Sequence, residues 1–484
     1  MSGAAPHSER LLGIDPAVRS LSSELYGAVA DAPIISPHGH VSAELLASNR
    51  PFADPAQLFV TPDHYVTRLL HSSGIALDRL GVGGSSTPPR EIWRTLCENW
   101  HLFAGTPVRY WLQDSLARVF GLTLTPSADT ADELYDRIAE ALAQPRNHPR
   151  ELLGRFGVEV LATTDDPADS LEHHDRLVAA PDLPTKVIPT LRADAYMDPA
   201  GAAWPQRLEA LSAASDQDCG SYRGLLEAIQ IRRQFFKTRG ATATDCGVAD
   251  AWAIPLSDAQ AETLHGQGLD GSVSPGGAEA YRRNMLFQFG LMAAQDGLVM
   301  QLHAGVLRNH HATTFERFGP DTGHDIPAIT TYAEPLRELL NHVGTSEAFR
   351  IVLFTVDETA FSRDIAPLAG FYPSVYAGAP WWFLDAPAAV RRFRAAVTET
   401  AGFYKTSGFI DDTRALCSIP TRHDMSRRLD ATYLAELVLE HQLSEQEAHT
   451  IAGALVGEIP RTVFRLASPQ SATGDLPGRV SQSA

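Results

Sequence analysis

Short runs of apolar and β-branched residues recur along the chain, separated by longer stretches in which apolar positions return every three or four residues. The runs are 32–36 (APIIS), 158–162 (VEVLA), 186–191 (KVIPTL), 241–245 (ATATD), 298–302 (LVMQL), 351–355 (IVLFT), 374–377 (SVYA) and 408–411 (GFID). Runs of this kind, alternating with helical patterns, spell βα units and a parallel sheet. Eight of them are the number that closes a (β/α)8 barrel. Helices fill the intervals. Residues 222–239 place Tyr222, Leu225, Leu226, Ile229 and Phe236 on one face, and Gly240 supplies the stop. Residues 387–404 open with Asp385 near the N-cap and Pro387 in the first turn, and Val390, Phe393, Val397 and Tyr404 follow at helical spacing.

One interval is oversized. About 120 residues separate the first run from the second, whereas a βα crossover needs only about a dozen. This stretch carries Trp93, Trp100, Phe103, Trp111 and Phe120 among helix-friendly segments. The expected organisation is therefore a barrel from 1–45 and 155–467, with a mostly helical subdomain, 46–154, inserted over its mouth. The small, polar stretch 468–484 reads as a disordered tail.

Composition narrows the function classes. With 44% apolar and 20% charged residues in 484, the chain is globular rather than disordered, collagenous or coiled-coil. A net charge of −18 without any basic run argues against a nucleic-acid partner. Cys97, Cys219, Cys246 and Cys417 are far apart and form no CxxC pair, so neither a disulfide framework nor a thiolate metal site is indicated. Residues 1–20 lack an apolar leader, and nothing approaches a membrane span, so a soluble cytoplasmic protein is expected.

The chemistry stands at the ends of the runs, which converge on the active site in this fold. His38 and His40 follow the first run, and Thr163, Thr164, Asp165 and Asp166 the second. Arg192 ends the third, Asp245 the fourth and His303 the fifth. Asp411 and Asp412 end the last, with Arg414 just beyond. On an extended chain residues i and i+2 share a face, so His38 and His40 can aim at one ion, with Gly39 leaving room. Imidazole suits Zn²⁺ and similar divalent metals, and Asp412 is the natural third ligand. The neighbouring pairs His173–His174 and His310–His311 diverge at adjacent positions and read as structural or solvated. Arg192 and Arg414 call for an anion, since two guanidinium groups in a cleft are costly alone. An internal pair with Asp165, Asp166 or Asp245 is the alternative for either arginine, and is less expected for both together.

In their order along the chain these segments resemble the uronate isomerase (glucuronate isomerase) family of the amidohydrolase superfamily. The resemblance rests on SPHGH (36–40), TPDHY (61–65), GTPVRYWL (105–112), ATTDDPADSLEHH (162–174), PTLRAD (189–194), MQLHAGVLRNHH (300–311), PWWFLD (380–385) and DDTRALCSIPTRHD (411–424). It implies a distorted barrel with a helical insertion, and a metal-dependent interconversion of D-glucuronate with D-fructuronate and of D-galacturonate with D-tagaturonate. It also implies that His38, His40 and Asp412 bind one divalent ion, expected to be Zn²⁺. By the same resemblance Arg192, His64 and Arg414 contact substrate, Tyr65 transfers a proton and Trp381 walls the pocket. Three positions depart from the family pattern: Ser36 stands where many relatives have Asp, Cys246 where they often have His, and Ala193 in place of Pro. His303 matches later histidine positions of the superfamily and is taken as a pocket residue.

Such a site supports an aldose–ketose isomerisation through an enediolate. Arg192, Arg414 or both would hold the sugar carboxylate, Asp412 would shuttle a hydroxyl proton, Tyr65 would serve the carbon and His64 would stabilise the oxyanion. The competing readings are a metal-dependent hydrolase or lactonase on the same scaffold and a non-catalytic sugar-acid binder. A hydrolase commonly adds a carboxylated lysine, and no lysine stands at a strand end here. The partner expected is a small sugar acid, with a homo-oligomeric assembly.

Overall fold

The structure is a computed structural model in which residues 6–466 are described; the expected tail at 468–484 lies outside them. Ten strands occur among the described residues: β1 (Ile34–Ser36), β2 (Val158–Ala162), β3 (Lys186–Ile188), β4 (Leu191–Arg192), β5 (Ala243–Val248), β6 (Val299–Ala304), β7 (Val306–Leu307), β8 (Ile326–Pro327), β9 (Ile351–Thr355) and β10 (Val375–Ala377). Strands β1, β2 and β3 form one parallel sheet, and β10, β9, β6, β5 and β4 form another in that order. The short antiparallel pair β7–β8 stands apart, on the excursion that follows β6.

The two sheets join at both edges. The run expected at 186–191 is split into β3 and β4 because Pro189, between them, has no N–H for the ladder. Pairing continues past the split through the parallel bridge Asp165–Leu191. On the other side the run at 408–411 is not a regular strand, a correction to the sequence reading. Gly408 at φ +74° and Asp412 at φ +41° interrupt the extended backbone. The segment instead makes single links: Ser407 N–H to the Ala377 carbonyl at 2.9 Å, and His40 N–H to the Thr413 carbonyl at 3.0 Å. An irregular eighth stave thus lies between β10 and the end of β1, which distorts the α/β barrel.

The fourth run is also displaced. Ala241 still closes the preceding helix, Tyr222–Thr238, through its N–H to the Phe236 carbonyl at 3.1 Å. The strand therefore starts at Ala243 and Asp245 falls in its middle rather than at its end. In that helix Tyr222, Leu225, Ile229 and Phe236 are buried as the periodicity predicts. In Pro387–Ala401 the N-cap is Ala386, with no side-chain cap, so Asp385 does not play the capping part expected of it.

The regular elements between β1 and β2 are all helices, from Ala43–Ser48 to Pro149–Arg155, joined by loops such as residues 121–130. Several of its helices start on a polar cap followed by proline, as at Asp54–Pro55 and Thr106–Pro107, which satisfies free N–H groups and presets φ. Its buried Trp93, Trp100, Phe103 and Trp111 belong to the same apolar cluster as Ile34, Leu161 and Val187 of the first strands. Burying each such side chain contributes about 1.5–3 kcal/mol, so the insertion is packed onto the barrel. All four cysteines are free and buried. No helix among the described residues is long and apolar enough to cross a membrane.

Candidate active site

His38 and His40 leave the end of β1 on the same side, as alternation requires. Their Nε2 atoms lie 3.3 Å and 3.1 Å from Asp412 Oδ1, carried by the irregular eighth stave. These contacts are not aligned as hydrogen bonds, and both Asp412 oxygens are buried without a hydrogen-bond partner. Burial alone would push the Asp412 carboxyl up, yet the two imidazoles hold it well below the usual carboxylate range. Three ligand atoms of the right type, within 4.8 Å of one another and otherwise unspent, fit a divalent cation. The left-handed backbone of Asp412 is a strained conformation for a side-chain-bearing residue, and it turns the carboxylate toward the histidines. Gly39 is not needed for space: a Cβ there would meet Thr413 O at an ordinary 3.6 Å.

His303, on β6, lies beside this trio, its ring centroid 4.7 Å from that of His38. Its Nδ1 is 2.7 Å from Asp245 Oδ1. A carboxylate only accepts, so Nδ1 carries the proton and Nε2, buried and unpartnered, keeps its lone pair. His38, Asp245 and His303 form a second group with metal-ligand spacing.

Both expected arginines have internal partners, against the expectation that at least one would be free. Arg192 Nε reaches Asp194 Oδ2 at 2.8 Å and its Nη1 reaches Asp245 Oδ2 at 3.1 Å. Neither Asp165 nor Asp166 pairs with it; Asp166 is held by Tyr196 and Arg207. Arg414 is more exposed and has a single, longer contact, 3.5 Å to Asp321 Oδ2. Its charge is the less committed of the two.

His64 and Tyr65 open the helix His64–Ser72, whose cap is Asp63 through the Tyr65 N–H at 2.9 Å. Although adjacent, their rings do not diverge; they stack with centroids 5.1 Å apart and planes 20° apart. Burial and then the nearby Arg414 lower the His64 pKa to about 3, so its imidazole is neutral. The Tyr65 hydroxyl donates to Asp385 Oδ2 at 2.8 Å, and burial raises the phenol well above its usual pKa. Trp381 is buried against His303, centroids 4.7 Å apart, and stacks on Trp382.

One cavity of about 520 Å³ is lined by His38, His40, His64, Tyr65, Arg192, His303, Trp381, Asp412 and Arg414. The sequence reading placed these residues and missed others on the same wall: Asp63, Asp194, Arg308, Asp321 and Arg422. Arg422 lay inside a quoted segment, but nothing in its local pattern marks it. It sits on the helix Ile419–Leu439, where charged residues are buried around the whole circumference and each meets a partner from elsewhere in the chain. His174 is buried against Thr163, while His310 and His311 are exposed, in line with structural and solvated roles.

With the geometry in place, the chain can be set beside known proteins. The family described as Glucuronate isomerase matches residues 17–461. A uronate isomerase of Corynebacterium efficiens is 46% identical over 464 residues, which cover 96% of this chain and 99% of that protein. The crystal structure of glucuronate isomerase from Caulobacter crescentus superposes with a TM-score of 0.94 at 43% identity, covering 96% of this chain and 98% of the other. That of uronate isomerase from Thermotoga maritima superposes at 0.89 with 29% identity, covering 95% and 99%. Match, coverage and shared architecture together establish that this chain is a member of the glucuronate isomerase family and shares its α/β fold.

Proposed function

We propose that the protein interconverts D-glucuronate with D-fructuronate and D-galacturonate with D-tagaturonate by proton transfer through an enediolate. The observation that carries this reading is the convergence of a two-histidine, one-carboxylate set, a phenol and an incompletely paired guanidinium on one cavity. An open-chain sugar acid needs those three things: polarised oxygens, a proton-transfer group and an anchor for its carboxylate.

Arg414 is the principal anchor. Its guanidinium can exchange a 3.5 Å contact with Asp321 for two-point binding of the substrate carboxylate. Arg192, already neutralised by two carboxylates, is suited to hydrogen bonding a sugar hydroxyl. A divalent ion, Zn²⁺ by the ligand type, would be held by His38, His40 and Asp412 and would supply Lewis-acid polarisation at the reacting carbons. Asp412 is well placed to relay the hydroxyl proton, because neither of its oxygens is committed to a hydrogen bond. Tyr65 moves the carbon-bound proton, and the neutral His64 beside it donates or accepts a hydrogen bond without adding charge. The stacked Trp381 and Trp382 limit water on one side, protecting the enediolate.

Purified protein loaded with Zn²⁺ and given either uronate in deuterated water should form the matching ketose, with deuterium entering at the carbon next to the carbonyl. Failure to convert either sugar acid would overturn the reading.

A further inference from the structure

Asp385 joins three parts of the chain that are remote in sequence. It follows β10 in the segment 380–385, and its Oδ2 accepts from the Tyr65 hydroxyl of the insertion and from Arg422 Nη1 of the C-terminal helix, each at 2.8 Å. Asp385 and Arg422 are buried, and the Arg422 guanidinium lies 3.6 Å from the Trp111 ring centroid and 5.5 Å from that of Tyr65. Asp385 is not a helix cap, because Ala386 is the capping residue and has no side-chain bond to offer. Its one active oxygen is spent wholly on Tyr65 and Arg422, while Oδ1 is buried and unpartnered.

A hydroxyl has one hydrogen to donate and two lone pairs. With the Tyr65 hydrogen directed at Asp385, the phenol oxygen is left to present acceptor lone pairs toward other partners. The bond also fixes the rotation of the ring, whose neighbours His64 and Trp111 confine its faces and edge. Burial pushes the Asp385 carboxyl up, and Arg422 opposes that shift and holds the group in place, in an ion pair affordable in a buried setting because it is hydrogen-bonded and stacked. We propose that Asp385 is a positioning residue for the isomerisation: it orients Tyr65 with its hydrogen turned to the carboxylate, so that the phenol oxygen takes the carbon-bound proton as its own hydrogen passes to Asp385 Oδ2. This inference rests on Tyr65 being the group that moves the carbon-bound proton.

Asp385→Asn retains size and can keep both contacts through its carbonyl oxygen, but an amide cannot take up the phenol hydrogen as the carboxylate can. In the zinc-loaded enzyme it should lower kcat at least tenfold with KM within about threefold of wild type, and leave melting temperature and bound zinc unchanged. A kcat within twofold of wild type, or a loss that follows zinc content or melting, would overturn the proposal. Tyr65→Phe supplies the second arm. In that background Asp385→Asn should cost less than twofold, because the group it positions has gone. An equal loss in both backgrounds would show Asp385 acting independently of Tyr65 and would also overturn it. If Tyr65→Phe turns over too slowly to follow, the kcat, KM, melting and zinc readouts of the single variant decide the matter. The reading beneath fails differently: it falls if wild-type enzyme converts no uronate, or if Tyr65→Phe is as fast as wild type.

Discussion

Asp321 Oδ2 lies 3.5 Å from Arg414 Nη2, while its other oxygen is 3.6 Å from Arg308 Nη1. Its backbone is left-handed, φ +61°, between Gly319 and Gly323, which also have positive φ. The excursion after β6 thus brings a carboxylate to the arginine proposed to bind the carboxylate of the substrate. The two anions compete for one guanidinium. Asp321→Asn should lower KM for glucuronate, by roughly two- to fivefold, with kcat little changed. Arg414→Lys should raise KM or depress turnover by at least tenfold, since an ammonium cannot grip a carboxylate at two points. Steady-state kinetics of both variants check this; wild-type constants for Arg414→Lys would remove it from the site.

The ligand trio makes a prediction about metal content. His38→Ala or Asp412→Asn should strip or weaken a bound divalent ion, with activity falling about a hundredfold or more. Elemental analysis after dialysis measures the ion directly. Full stoichiometry retained in both variants would refute His38, His40 and Asp412 as the ligand set.

Gly247 stands against the Arg192–Asp194 pair with no signature of its own in the sequence. A Cβ there would stand 2.5 Å from Arg192 Nη2 and 3.0 Å from Asp194 Oδ2, inside the pair that holds the arginine. Gly247→Ala should therefore displace Arg192 and reduce kcat/KM by roughly tenfold, while melting changes by only about 2 °C, because the strain falls on a cavity wall rather than on the core. Unchanged kinetics in a folded variant would mean that the guanidinium relaxes freely.

Asp165 sets a pH dependence of stability away from the ligand trio. Burial raises its carboxyl pKa to about 7, against partial relief from the Thr163 hydroxyl and the Thr190 N–H, and with Asp169 adding to the rise. His174, 3.8 Å away, gives it no positive charge because burial lowers that imidazole to about 4. The folded chain thus keeps a proton that the unfolded chain releases near 3.8. The stability from this group is fully present below 3.8 and is lost as pH rises to about 7. Asp165→Asn should match wild type near pH 4 and melt higher above pH 7.5, by on the order of 1–3 °C. Parallel melting curves across that range would exclude the assignment.

How much was legible beforehand depended on whether the information was local. Alternation placed His38 and His40 on one face, and the runs at 158–162 and 351–355 became strands with those bounds, because a β-strand's pleat and apolar content are properties of a few consecutive residues. The helix entry at Pro387 likewise follows from a proline in the first turn, whose φ is preset for the helix. The irregular eighth stave could not be read that way: GFID has a strand's composition, and what breaks it is the left-handed backbone around it.

Composition, periodicity and the ordered motif segments were enough to settle the fold class and the glucuronate isomerase family, and to name nine residues that line the cavity. Tertiary structure alone decided what each charge is spent on. Asp385 has the sequence context of a helix cap, yet its carboxylate meets Tyr65 320 positions earlier and Arg422 37 positions later. Arg192 and Arg414 look alike in the sequence, but one is held by two carboxylates and the other by one distant contact. Backbone preference is set by neighbours along the chain, whereas the partner of a buried charge is whichever opposite group the packed fold brings within a few ångströms.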